Sequence, residues 1–119
     1  MRPLILLELN EINFSVVKEY IAADPTLFPS LKKLMNCKMV LTEAEARYED
    51  IEPWIQWVSV HTGKSYAQHR IFRLGDITGS GVPQIYETLE QQGVSVGCIS
   101  PMNAENRLIK PSYFIPDPW

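Results

Sequence analysis

The chain predicts a three-layer α/β/α domain built on a mainly parallel sheet, and three features carry that expectation. Residues 4–9, LILLEL, are a nearly unbroken apolar run, as in a strand covered on both faces. Helix-like and strand-like segments then alternate, the order that parallel pairing through right-handed crossovers produces. The helix boundaries are punctuated by Asn or Pro at the starts and by Gly at two of the stops.

Each element follows from local chemistry. Asn10, Glu11, Ile12 and Asn13 break the first run. Asn13 can cap a helix whose Phe14, Val17 and Ile21 recur at helical spacing. Asp24-Pro25 ends that helix. Pro29 starts a second, with Leu31, Leu34 and Met35 on one side and Lys32 and Lys33 on the other. Residues 38–42 read as a short strand, and residues 43–52 as acidic and irregular. Pro53 opens a third helix that Gly63 closes. Residues 64–82, with Gly75, Gly79 and Gly81, read as a long loop. Pro83 begins a fourth helix, with Ile85 and Leu89 inward and Gly93 at its stop. Residues 94–100 form a third strand, and the stretch from Pro101 onward, rich in Pro, reads as loop.

Composition narrows the classes. The 119 residues are 45% hydrophobic and 21% charged, an ordinary globular balance, and residues 1–119 read as a single α/β domain. A net charge of −3 without a basic stripe sets nucleic acid aside as a partner. Cys37 and Cys98 form no CxxC pair and no disulfide framework, which fits a reducing cytoplasm. The N-terminal apolar run is short and carries Glu8, so it reads as neither a signal peptide nor a membrane span. Three strands make a small sheet with bare edges. The chain is therefore expected to be the N-terminal portion of a larger catalytic domain. Self-association or docking to a missing C-terminal portion would follow, with Trp119 marking where it docks.

Four segments, in order, resemble the N-terminal part of the alkaline phosphatase superfamily, which includes phosphodiesterases, nucleotide pyrophosphatases and sulfatases. LILLELNE sits where that family has a strand ending in a metal-binding Asp followed by Gly. FPSLKKLMN is similar to its lPnLxxLm helix, TGKSYAQHRI to its TGxxPxxHGI, and PQIYETLEQQGVSVGCIS to its piwetLexxGxxvgvis helix and strand. The resemblance implies a metal-dependent hydrolase or transferase acting on a small-molecule phosphate or sulfate ester. A divalent metal (Zn, Mn or Mg) would activate a Ser or Thr hydroxyl at a helix N-terminus.

The pattern departs from the family at the reacting positions. Counting back from Thr62-Gly63, the nucleophile falls on Pro53, which has no hydroxyl. The metal-binding Asp falls on Asn10, the following Gly on Glu11, and the Gly after the His on Arg70. Two readings stay open. In one, Glu8, Asn10, Glu11 and Glu52 supply oxygens to a divalent metal, and Glu52 or a metal-bound water attacks, all sharing one polar pocket. In the other, the chain is a degenerate, non-catalytic relative that serves as a ligand-binding or protein-interaction module. Asp50 and Glu52 would repel a phosphate at the helix start unless a metal intervenes.

Each residue also has a plainer reading. Glu8 can be an edge-strand charge, Asn10, Glu11 and Asn13 turn and cap chemistry, and Glu52 an acid stabilised by a helix dipole. Gln56 can face the site or solvent. Trp54 and Trp57, three apart, share a helix face suited to core packing or to a substrate platform. His61 and His69 define no metal-ligand geometry, and His69 matches a family position that structures a loop. Lys64, Arg70 and Arg73 form a small basic cluster. Met102-Asn103 follows the third strand, where α/β sheets place ligands. No GxGxxG follows the first strand, the Gly-rich loop lacks a Walker Lys, and no GxSxG elbow occurs.

Overall fold

The computed structural model describes residues 3–118. The chain divides into two compact units, Met1–Glu43 and Ala44–Trp119. No helix among the described residues is long and apolar enough to cross a membrane. Trp119, the expected docking mark, lies outside the described residues.

The first unit holds two helices. Helix α1, Phe14–Ala23, starts where Asn13 Oδ1 accepts the backbone N–H groups of Ser15 (2.9 Å) and Val16 (3.3 Å). It stops at Asp24, whose carboxylate accepts from the Thr26 backbone N–H and hydroxyl and is held below its usual pKa by those bonds. Helix α2, Pro29–Met35, has Pro29 in its first turn and Phe28 at a left-handed φ of 50° before it. Neither helix buries a residue completely. The strands expected at residues 4–9 and 38–42 do not pair among the described residues. Leu4, Ile5 and Leu7 are more than two-thirds exposed, as are Val40 and Leu41. β-structure is stable only through a neighbour's hydrogen bonds, and an apolar run alone does not supply one.

The second unit carries the core. A 3-10 turn, Tyr48–Asp50, leads to helix α3, Pro53–Thr62, with Pro53 in the first turn. Gly63, at φ 65°, closes α3 by donating to Ser59 O. Helix α4, Tyr66–His69, falls inside the expected loop. Its backbone starts on a Ser65–Gln68 capping box, and its Tyr66 N–H donates to Glu45 Oε1 at 2.6 Å. Helix α5, Ile85–Gln91, begins two residues after Pro83. Strands β1, Gly97–Ile99, and β2, Tyr113–Ile115, pair in parallel with Cys98 opposite Phe114. The third expected strand is thus β1 shortened to three residues, and its partner lies in the stretch that reads as loop. The sheet among the described residues has two strands, fewer than the three expected.

Two apolar clusters form. Val58, Ile71 and Ile77 pack under Val82. Tyr86, Val96 and Cys98 pack with Leu89, Leu108 and Phe114, joining α5 to the inner face of the sheet. Acidic side chains of α5 then gather the return segment between the strands. Glu87 takes a two-pronged ion pair from Arg107, whose guanidinium also donates to Val82 O. Glu90 accepts the backbone N–H groups of Ile109 and Lys110 at 2.8 and 2.7 Å.

Gln84 is the hub of this half. Its side chain is fully buried and bonds the Glu105 backbone twice, Nε2 to O at 2.9 Å and Glu105 N to Oε1 at 3.1 Å. Nε2 also donates to Glu87 Oε1 at 3.0 Å, while Glu87 caps the Gln84 N–H. Gln84→Ala strands the Glu105 N–H and opens a small void, so it should destabilise the unit by about 2–3 kcal/mol. Urea unfolding followed by circular dichroism reads this loss. Glu87 keeps its Arg107 pair, so the far-UV spectrum of the folded state should change little.

Candidate functional site

The start of α3 is built by three segments. Glu52 is the N-cap, and its carbonyl accepts from Ile55 N at 2.9 Å and Gln56 N at 3.0 Å. Its carboxylate is exposed and makes no capping hydrogen bond. Gln56 turns back and donates Nε2 to Asp50 O at 2.8 Å, fastening the 3-10 turn to α3. Trp54 donates its indole N–H to Phe72 O at 3.0 Å, bringing the segment after α4 to the same place. Residues Tyr48, Glu49, Glu52, Trp54, Phe72, Arg73 and Leu74 line a cleft of about 540 Å³, within the size range of small-ligand sites.

Asn103 locks the floor of this arrangement. The residue is 6% exposed and sits at φ 48°, a left-handed conformation that Asn tolerates better than most side chains. Its Nδ2 donates to Trp54 O at 2.9 Å and to Arg73 O at 3.2 Å, and its Oδ1 accepts from Gly75 N at 2.8 Å. The position after the third strand, flagged as a place for ligands, is therefore filled by a structural amide.

Charge around the cleft is mixed and net acidic. Arg47 pairs with Glu49 at 2.6 Å and with Asp50 at 3.4 Å. Asp50 is buried, and its Oδ1 makes no hydrogen bond among the described residues. Arg73 is the lone cation among the cleft's described lining residues.

The metal-ligand residues expected from sequence lie elsewhere in the chain. Glu8, Asn10 and Glu11 belong to the first unit, and Glu52 to the second. Glu8 is half-buried. Asn10 and Glu11 are exposed in a turn, with Glu11 at φ 59°. Glu11 lines a cleft with Ile12, Asn13 and Phe14. Among the described residues, no three His, Cys, Asp or Glu side chains gather to hold a metal. A hard divalent cation needs several oxygen ligands, and a neutral amide is a weaker one than a carboxylate.

Both histidines have structural surroundings. His61 is buried between the rings of Trp57 (centroids 5.8 Å apart, stacked) and Tyr86 (5.3 Å). Trp57 thus packs on His61, while Trp54 lines the cleft. His69 accepts the Ile71 N–H on Nδ1 at 3.0 Å and has Ser59 Oγ 3.1 Å from Nε2. An acceptor at Nδ1 puts the neutral ring's proton on Nε2, which donates to Ser59. The pair has a nucleophile's spacing, but the imidazole has no lone pair facing the hydroxyl and cannot serve as its base. His69 structures the α3–α4 corner. Thr62 likewise bonds back to Val58 O at 2.7 Å.

Tyr48, Glu49, Phe72 and Leu74 are the cleft residues that sequence reading did not single out. They sit in a short 3-10 turn and in the non-helical chain after α4, where no periodicity marks a side chain's direction. No protein-family model, curated protein or solved structure matches the chain.

Burial lowers the pKa of His69, with Glu45 opposing the shift weakly. The unfolded histidine titrates near ~6.5. As pH falls through that value, the unfolded chain takes up a proton that folded His69 resists, and stability declines. The contribution is full above about pH 6.5 and is lost as pH drops toward the lowered folded value. The urea midpoint should therefore fall between mildly alkaline and mildly acidic buffer. His69→Gln should flatten that slope, and an unchanged slope in this variant would assign the pH response to other groups.

Proposed function

We propose that the chain is a non-catalytic, ligand-binding relative of the alkaline phosphatase superfamily, with the start of α3 as its binding locus. One observation supports this most directly. The helix position where the resemblance expects a hydroxyl holds Pro53, and the neighbouring Glu52 presents a carboxylate to a cleft walled by aromatic rings. Proline supplies neither a nucleophile nor an N–H for an anion. A carboxylate there opposes the negative charge of a phosphate or sulfate ester, reversing the preference a helix N-terminus otherwise has. Under this reading the three-layer α/β/α architecture is inherited, and the chemistry has been replaced by recognition.

A second reading, a metal-dependent hydrolase or transferase of phosphate or sulfate esters, is favoured by the exposure of the Glu52 carboxylate. Carboxylates do act as nucleophiles in phosphoryl transfer, and Glu8, Asn10 and Glu11 would be its metal-binding residues. The two readings part on turnover. With zinc, manganese or magnesium added, the chain should hydrolyse neither a bis-nitrophenyl phosphate diester nor a nitrophenyl sulfate above background. Metal-dependent turnover that Glu52→Gln removes would overturn the binding-only reading and establish the enzyme.

A further inference from the structure

The geometry points to an organic cation of the quaternary or methylated ammonium class as the ligand of the cleft at the start of α3. This deepens the binding reading above and rests on it. Three aromatic side chains, Tyr48, Trp54 and Phe72, line one cleft. The faces of such rings carry negative quadrupole density and attract a positive charge that sheds its water easily. An ammonium clothed in methyl groups does so, whereas a bare ammonium is strongly hydrated.

Charge complementarity separates this ligand from a neutral apolar one. Glu49 and Glu52 line the cleft, and Asp50 lies in the same 3-10 turn as Tyr48 and Glu49. Arg47 is engaged by Glu49 and Asp50. With Arg73, the local balance is three carboxylates against two guanidiniums. Glu52 makes no capping hydrogen bond, and its exposed side chain lines the cleft. Arg73 by itself would attract an anion and the acids oppose one, so anion binding is kept as an outcome of the test.

Two of the three rings, those of Trp54 and Phe72, are held in place before any ligand arrives, while Tyr48 is exposed. The Trp54 indole is fixed by Phe72 O, and the Trp54 and Arg73 carbonyls by Asn103. Phe72 also packs on Tyr66, with ring centroids 6.1 Å apart. Pre-set rings lose little freedom on binding, which favours affinity from a small contact area.

The test is calorimetric titration of the full chain with choline chloride. Its uncharged isostere 3,3-dimethylbutan-1-ol and inorganic phosphate are the comparison probes. Choline should bind at least about tenfold more tightly than the isostere, as expected for a partly desolvated cation–π site. Phosphate should not bind. Tyr48→Leu, at a highly exposed position that folding does not need, and Glu52→Gln should each weaken choline about three- to tenfold. Trp54→Leu should abolish measurable binding, with circular dichroism checking that it folds. Equal binding of choline and its isostere would overturn the proposal in favour of a merely apolar cleft. Phosphate binding, or no choline binding at tens of millimolar, would overturn it as well. Turnover assays are separate, so failure here leaves the absence of catalysis independently readable.

Discussion

The Asn103 carboxamide joins the start of α3 to the segment after α4, and the shape of the second unit's cleft depends on it. One side chain satisfies the carbonyl of Trp54 in α3, the carbonyl of Arg73 after α4 and the N–H of Gly75. The bonds are part-buried, and the Arg73 and Gly75 groups lie in irregular chain with no regular ladder to satisfy them. An amide that donates twice and accepts once replaces that ladder. The left-handed backbone at Asn103 is the local cost of aiming the side chain at all three.

Gln84 repeats the device on the other side of the unit. It pairs with the Glu105 backbone as a neighbouring strand would, and it caps α5 as well. With two apolar clusters of modest size, buried amides supply the specificity that a larger core would give by shape alone. Both amides act on loops flanking α3 or α5, so the rigidity of the cleft follows from interactions outside it. This separation leaves the side chains of Tyr48 and Glu52 exposed at the cleft, while their backbone carbonyls serve the local helical turns.

Legibility in the sequence tracked locality. Helices α1, α2 and α3 were readable because Asn13, Pro29, Pro53 and Gly63 act within one turn of themselves. Helix α5 was readable to within two residues for the same reason, although the capping box of Gln84 and Glu87 went unread. Strands fared worse, since their formation is decided by a partner. The apolar residues 4–9 have the pattern of a covered strand and no ladder among the described residues, while Tyr113–Ile115, only three residues between prolines, has a ladder and no pattern. The candidate site was half legible. Glu52 and Trp54 stood out through their place at a helix start. Tyr48 and Phe72 come from a short 3-10 turn and from non-helical chain, and the Asn103 clamp depends on contacts across dozens of residues. The metal-ligand set was drawn from motif alignment alone, which carries order along the chain and no distance.

The most direct test of this account is native-state amide hydrogen exchange at Gly75, the N–H that Asn103 Oδ1 accepts. If the clamp unites α3 with the following loops, Gly75 exchanges only with global unfolding, despite its exposed glycine loop, and Asn103→Ala frees it alone at first. Exchange of Gly75 at the rate of an open loop in the unaltered chain would contradict the account. The cleft would then be a loose surface and not a preformed one.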